Sequence, residues 1–422
     1  MPHLASSHIL IWSIAAASIA LMLIRPRGLP EVFWTTAGAL SLCALRLISF
    51  PLAGHAVAEG LDVYLFLTGM MLLAELAKKY GVFDWLANIA VRHAEGSPAR
   101  LFTLIYIVGT AVTILMSNDA TAVVLTPAVL TAVKRAKAPP LPYLFVCALI
   151  ANAASFVLPI SNPANLVVFH TAMPPLGRWL AMFAIPSAVS IIVTYILLRW
   201  YFRDDMQAAF SDAEESIALT TTGKIAFAGI LSVTGVLLAA SALNMDLGLP
   251  TCLAALVVTV IVLVRERAGP RFLLREISWS ILPLVAGLFV IVEAVNSAGA
   301  LGMLHDALLR TSHLPATAST LVTGGAVGFG TNLVNNLPLG LITGATLRAA
   351  PVQTAVQKAV LIGIDLGPNL SITGSLATIL WLIAIRREGL HITAWQFLRA
   401  GFVIMPLSLM LALAAELLVH SR

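Results

Sequence analysis

Two carboxylates, Asp119 and Asp365, are embedded in long apolar runs, each within a few residues of small amides and hydroxyls. An acidic side chain at the centre of a membrane helix costs roughly 2.5–3.5 kcal/mol on insertion scales, so such a residue needs a use. Two uses fit the type. A carboxyl removed from water can take up and release a proton near neutral pH, and an Asp can cap the first turn of an interrupted helix. Glu75 and Glu293 make a second acidic pair in apolar sequence. They lie in uninterrupted stretches, where they can couple protons or pair with each other.

Around the aspartates sit neutral donors and acceptors: Asn118, Asn152, Ser161, Asn162 and Asn165 in the first half of the chain, and Asn336, Thr373, Ser375 and Thr378 in the second. Groups of this kind suit an uncharged, hydroxylated solute that offers several O–H donors and acceptors at once. A dianion calls for fixed positive charge, and no Lys or Arg falls in these motifs. Helix N-termini can replace basic residues at an anion site, and the same amides can instead serve as polar glue between helices.

Other chemistry is not signalled. The nine histidines form no HExxH or clustered set, and Cys43, Cys147 and Cys252 lie far apart in apolar stretches, so neither a disulfide framework nor a metal site is indicated. The run Gly324-Gly-Ala-Val-Gly-Phe-Gly330 lacks the Lys-Ser/Thr of a phosphate-binding loop and fits close helix packing. A membrane-embedded enzyme needs a nucleophile and base at matched spacing, and none is present. The expectation is a protein that is not an enzyme and carries no cofactor.

Composition supplies the setting. Of 422 residues, 59% are hydrophobic and 11% charged, with mean hydropathy +0.94, where a soluble chain carries roughly 25% charged residues. Stretches long enough to cross a bilayer as helices recur from end to end. The net charge of +5 resides in short loops, which suits orientation in a membrane and not a nucleic-acid surface. The first apolar stretch, residues 8–24, has no basic leader and is followed by Arg25-Pro-Arg27, so it reads as a retained helix and not a cleaved signal.

Spanning helices are expected near residues 8–24, 29–50, 61–78, 142–175, 180–200, 223–243, 250–265, 278–297, 355–386 and 398–418. Two further apolar regions, 101–133 and 316–350, are interrupted by Ser117-Asn118-Asp119 and Asn335-Asn336-Leu337-Pro338 and read as re-entrant hairpins. Backbone released from helical bonding at that depth survives only where protein or a wet cavity satisfies it.

The halves match. Gly69, Glu75, Gly81 and Asn118 recur as Gly287, Glu293, Gly299 and Asn336, all 218 positions on (287 − 69). Farther along, Asn152 to Asn165 faces Asp365 to Thr378 at an offset near 213, as one insertion or deletion produces. Helix 61–78 ends at Lys78-Lys79 and the first hairpin returns to Lys134, Arg135 and Lys137, whereas helix 278–297 begins after Arg265, Arg267, Arg271 and Arg275. By the positive-inside rule the equivalent helices run in opposite directions.

The expected fold is therefore an all-α polytopic membrane protein: an inverted-repeat secondary transporter with about ten transmembrane helices, two re-entrant hairpins and two broken helices, both termini outside. Residues 1–50 are N-terminal helices and 51–202 the first repeat. Residues 203–224, with Asp204, Asp205, Asp212, Glu214 and Glu215, form a central polar loop. Residues 225–422 comprise two lead-in helices and the second repeat.

The run Ile364-Asp-Leu-Gly-Pro-Asn-Leu-Ser-Ile-Thr-Gly-Ser-Leu-Ala-Thr-Ile-Leu-Trp381 resembles the late signature of the ArsB-type arsenite permeases of the ion-transporter superfamily. Ser117-Asn-Asp-Ala-Thr-Ala-Val-Val-Leu-Thr-Pro127, Ser161-Asn-Pro-Ala-Asn165 and Asn335-Asn-Leu-Pro338 resemble three others, so the likeness covers nearly the whole chain in order. The resemblance implies a multi-pass protein of the bacterial inner membrane that exports arsenite, and usually antimonite, in exchange for protons, conferring arsenical resistance. For some members it also implies a soluble arsenite-stimulated ATPase as partner. Whether the chain forms a homodimer is left open. Two positions depart from the pattern: Asn152 stands where an acidic residue is usual, and Pro163 where an aliphatic one is.

On this basis Asn118, Asn162, Asn336 and Ser375 hold the solute between hairpin tips and broken helices, with Asn152, Ser161, Asn165 and Thr373 as further contacts. Asp119, Asp365, Glu75 and Glu293 are the proton-coupling candidates. The rival within transporters is a sodium/proton antiporter or sodium-coupled anion transporter of the same superfamily.

Overall fold

The computed structural model describes residues 2–169, 173–206, 218–312, 314–349 and 353–420, and among them there are helices and no strands. The acidic centre of the 203–224 loop, Asp212, Glu214 and Glu215, lies outside the described residues, as does His313.

Three helices lead in: α1 (Pro2–Ile24), α2 (Glu31–Ala44) and α3 (Phe50–Glu59). Seven follow: α4 (Leu61–Lys79), α5 (Val82–His93), α6 (Pro98–Leu115), α7 (Thr126–Arg135), α8 (Leu141–Ala153), α9 (Pro163–Phe169) and α10 (Leu176–Tyr201). After α11 (Thr221–Ala242), α12 (Gly248–Glu266) and the short α13 (Arg271–Glu276), seven more complete the chain. They are α14 (Ile281–Ser297), α15 (Ala300–Ser312), α16 (Ala316–Val334), α17 (Asn336–Ala349), α18 (Thr354–Leu366), α19 (Leu376–Arg387) and α20 (Ala394–His420).

The second seven track the first. Helices α15 and α16 begin 218 positions after α5 and α6 (300 − 82, 316 − 98), and α18 and α19 begin 213 after α8 and α9 (354 − 141, 376 − 163). The slip in offset read from the motifs falls between the hairpin and the broken helix.

Length and composition make six helices membrane-spanning (α1, α6, α10, α11, α12, α20), and α3 with α4 a seventh bent by 46°. The sequence count of ten includes elements that fall short of this test for a physical reason. Helix α2 has 14 residues, α14 has 17, and the α8–α9 and α18–α19 stretches are broken at their polar motifs, so each half reaches only partway.

Two expectations are corrected. Residues 29–50 are not one helix: α2 stops at Ala44, Arg46 takes a left-handed φ of 54°, and Ser49 starts α3 by accepting from Leu52 N at 3.4 Å. The segments between helix 61–78 and the first hairpin, and between helix 278–297 and the second, hold α5 and α15. Short amphipathic helices escape a search for long apolar runs. Helix α5 buries Val82, Phe83, Ala87, Ala90 and Val91 and turns Arg92 and His93 outward.

Glycines bring α16 against its neighbours. A side chain on Gly324 would meet Leu413 at 2.5 Å and Ala359 O at 3.2 Å, and one on Gly328 would meet Leu409 at 2.6 Å. The Gly324–Gly330 run is thus spent on packing α16 into α18 and α20, as small residues do between membrane helices.

Candidate functional site

Each polar interruption is a cap. At the first hairpin, Met116 leaves helical geometry (φ −120°, ψ −86°), and Ser117 Oγ accepts from Ala120 N at 3.2 Å. At the second, Asn335 takes φ 80°, and its Oδ1 accepts from Leu337 N at 3.3 Å. Ser117 and Asn335 are counterparts at the 218 offset. The broken helices restart in the same way: Asn162 Oδ1 accepts from Ala164 N at 3.0 Å, and Ser375 Oγ from Ala377 N at 3.2 Å. Those two are counterparts at the 213 offset. Side-chain oxygens thereby satisfy amides that the breaks leave free.

The four caps converge. Asn118, Asp119, Asn162, Asn336 and Ser375 line one narrow recess, closed by Leu67, Ile281, Val285 and Leu337. Among its lining residues there is no Lys, Arg or His. The amide oxygens of Asn118 and Asn336 are buried and without hydrogen-bond partners. Burying an unsatisfied amide oxygen costs about 1–3 kcal/mol, so the recess presents two acceptors in want of donors.

Asp365 joins the halves. It is fully buried, and its Oδ1 accepts from Asn162 Nδ2 at 2.6 Å. The Ser155 hydroxyl donates to Asn152 O at 2.7 Å. The second carboxyl oxygen of Asp365, Oδ2, is buried without a hydrogen-bond partner, which leaves it open to a proton. Asp119 is half-buried and lines both this recess and a larger one of about 60 Å³ with Glu75, Ser117, Met70 and Ser278. Glu75 continues that opening into a surface cleft with Lys78, Lys79 and Glu276. Glu75 and Asp119, each shared by two neighbouring recesses, mark a line from the Lys78–Lys79 end of α4 toward the hairpin tips.

Other residues singled out from sequence hold the breaks and do not line the recess. Asn165 Nδ2 donates to the carbonyls of Ser155, Leu158 and Pro159, and Ser161 Oγ donates to Ile114 O at 3.2 Å. Asn152 Nδ2 donates to Asn369 Oδ1 at 3.0 Å and reaches Thr378 Oγ1 at 3.4 Å. Thr373 Oγ1 donates to Asn332 O at 3.0 Å. Glu75 and Glu293 do not pair: Glu75 meets Lys78 at 3.2 Å, and Glu293 accepts from Asn296 at 3.4 Å.

Sequence reasoning missed the amides that buttress the breaks and one ion pair. Asn332 accepts from Ser371 Oγ at 2.7 Å, and Asn335 Nδ2 donates to Thr373 O at 3.0 Å. Lys358 Nζ lies 3.1 Å from Glu416 Oε1, both essentially unexposed at 4% and 0%. The rule that flagged Asp119 and Asp365, an ionisable residue inside an apolar stretch, covers these two as well.

Comparison with known proteins gives a consistent picture. Residues 6–364 match the family model CitMHS, described as citrate transporter. The chain is 26% identical over 426 residues to the arsenical pump membrane protein of Escherichia coli strain K12, covering 96% of this chain and 98% of that one. It is 24% identical to an uncharacterised transporter of Mycobacterium tuberculosis, covering 95% and 97%. The crystal structure of the Alcanivorax borkumensis YdaH transporter superposes with a TM-score of 0.55 at 15% identity, over 89% of this chain and 88% of that one.

Proposed function

This chain belongs to the citrate transporter family, CitMHS, and from that premise we propose that it exports trivalent arsenite, and its analogue antimonite, in exchange for protons. It is a secondary transporter of a multi-pass bacterial inner-membrane type, and relatives alike over almost their full length are named arsenical pump membrane proteins. The observation that carries the solute class is the recess itself. Asn118, Asn162, Asn336 and Ser375 surround it, two of its amide oxygens lack donors, and no basic side chain lines it. At neutral pH arsenite is an uncharged trihydroxy species, whose O–H groups are the donors such oxygens want.

An uncharged solute gains nothing from the membrane potential, so uphill export takes its energy from the exchanged ion. Asp365 carries the proton in this scheme. Its Oδ1 accepts from Asn162, and its buried, unpartnered Oδ2 is the oxygen a proton would occupy. The exchange also requires two conformations in which the carboxyl differs in proton affinity, because a ligand shifts an equilibrium only by its differential affinity for the two states. The line of recesses from the Lys78–Lys79 end corresponds to the cytoplasm-facing state, with α4 and α14 read as inverted counterparts.

The family description favours a second reading, export or import of a carboxylate anion coupled to sodium. Asp119 in the recess and the lack of a basic partner oppose it, since an unpaired anion there meets like charge. The deciding experiment is arsenite accumulation in inverted, energised vesicles containing this protein alone, with and without an uncoupler, for parent, Asp119→Asn and Asp365→Asn. Accumulation abolished by uncoupler and by at least one substitution supports the proposal. Sodium-driven citrate movement without arsenite movement replaces it with the second reading.

A further inference from the structure

The Lys358–Glu416 pair plays no part in that scheme. It lies between α18 and α20, inside the largest apolar cluster, beside Val356, Ala359, Ala412 and Leu413. Taking two charges out of water costs several kcal/mol per ion, and apolar residues of similar volume are often as good or better for stability.

This molecule contains the apolar alternative. The counterpart of Lys358 at the 213 offset is Phe145 (358 − 213). Its ring packs against Phe202, near the corresponding end of α10, at 5.2 Å, and against Trp381 and Phe397 at 5.7 and 5.6 Å. One half of the fold fills this position with an aromatic cluster and the other with an ion pair, so packing alone does not demand the charges.

The surroundings are suited to protons. Lys358 precedes Asp365 by seven residues, two turns of α18, which puts both on one face about 10 Å apart along the axis. Thr354 and Gln357, in the same first turns of α18, line a cavity of about 400 Å³ in which Arg178, Arg348 and Asn244 alternate with apolar residues such as Phe169 and Met182. On α16, Gly324 lies level with Ala359 and Leu413, and Gly328 with Gly363 and Leu409. That register sets Thr320 level with Glu416. The hydroxyls of Ser319 and Thr320 are buried, at 1% and 0% exposure, and have no hydrogen-bond partner.

The remaining ionisable groups on the elements packed against α18 are few. Helices α16 and α9 carry none, α8 carries Tyr143 and Cys147, and α17 carries the exposed Arg348. Helix α10 carries Arg178, Tyr195, Arg199 and Tyr201, and α20 carries Arg399 and His420 besides Glu416. Within this set Glu416 is the one carboxylate besides Asp365 itself.

We propose that Glu416, held by Lys358, is a second proton-exchange site of this transporter. A proton from water binds the Glu416 carboxylate, leaving the carboxyl neutral beside the Lys358 ammonium; the reverse step returns the proton to water and restores the pair. The inference rests on the proton-coupled reading for its place in transport, but its first test does not.

That test is infrared titration of the full chain in nanodiscs, which detects protonated carboxyls directly. A carboxyl band that titrates in the parent, is absent in Glu416→Gln and persists in Asp119→Asn and Asp365→Asn supports the site. Identical titration in parent and Glu416→Gln overturns it. The second test is the double variant Lys358→Met with Glu416→Leu, in vesicles. The proposal expects parent-like arsenite counterflow with accumulation under a proton gradient reduced at least tenfold. Parent-like accumulation makes the pair a packing element and overturns the proposal. If the parent itself moves no arsenite, the function proposed above fails while the infrared result still decides this site. If the double variant does not fold, Glu416→Gln decides alone.

Discussion

Asn162 binds two partners at once: its Oδ1 accepts from Ala164 N at 3.0 Å and its Nδ2 donates to Asp365 Oδ1 at 2.6 Å. One side chain therefore restarts the broken helix of the first half and holds the buried acid of the second. The two roles can be separated, because Ser375 performs the capping role alone at the counterpart position. Asn162→Ser keeps a capping oxygen and loses the reach to Asp365; Asn162→Ala loses both. The serine variant is expected to unfold within a few degrees of the parent, and the alanine variant to be less stable by about 1–3 kcal/mol. Solute accumulation falls at least tenfold in both. Thermal unfolding in detergent with vesicle uptake checks the pair, and parent-like uptake in Asn162→Ser would show that the bond to Asp365 is dispensable.

Asp119 and Asp365 differ in what surrounds them, so their amides should fail differently. Asp365 is fully buried and held by Asn162, whereas Asp119 lines two neighbouring recesses. Asp365→Asn is expected to abolish accumulation driven by a proton gradient while retaining downhill counterflow. Asp119→Asn is expected to weaken solute binding, seen as a rise in the half-saturating arsenite concentration. Equal loss of both activities in both variants would show that neither residue has a separable role.

Much of this was legible in the sequence because the same device occurs twice. A polar break in an apolar run has no stable home except against protein or a wet cavity, so Ser117 to Asp119, Asn162, Asn336 and Ser375 mark a candidate site in the sequence itself. Their convergence on one recess depends on how two halves pack, which no local pattern encodes. Asn165 and Thr373 look like Asn162 and Ser375 in sequence, yet Asn165 points back into its own break and Thr373 donates to Asn332 O at the end of α16, since the carbonyls stranded at the breaks also need donors. Helices α5 and α15 were missed because amphipathic segments of 12 and 13 residues carry polar faces that dilute the apolar signal.

The Lys78–Lys79 end of the line of recesses offers a test of Glu75. Its pair with Lys78, whose side chain is 51% exposed, contributes little to stability. Lys79 stacking on Phe272 at 3.1 Å and Lys78 near Glu276 at 3.8 Å tie α13 to α4 without Glu75. Glu75→Gln is therefore expected to leave the unfolding midpoint in place. If Glu75 passes protons between Asp119 and the cytoplasm, exchange initiated from that side slows several-fold. An unchanged rate would assign Glu75 to pairing alone.

On the far arm of the second hairpin, Gly344 lets α17 lie directly on α9. A Cβ there would fall 2.6 Å from Val168 O and 2.9 Å from Val167 O, both rigid backbone, so any side chain pushes the helices apart. This contact separates the recess from the cavity lined by Val168, Leu347 and Arg348. If it is the closed gate of the cytoplasm-facing state, Gly344→Ala should loosen it without unfolding the protein. Leu347→Cys is the probe: in the Gly344→Ala background its labelling by a membrane-impermeant thiol reagent from outside should rise several-fold, and net accumulation should fall as solute leaks back. Gly325→Ala is the control, because nothing lies within 4 Å of the added carbon, and it should change neither reading. Labelling that is the same in both backgrounds would mean that α9 and α17 meet for packing and that the gate lies elsewhere.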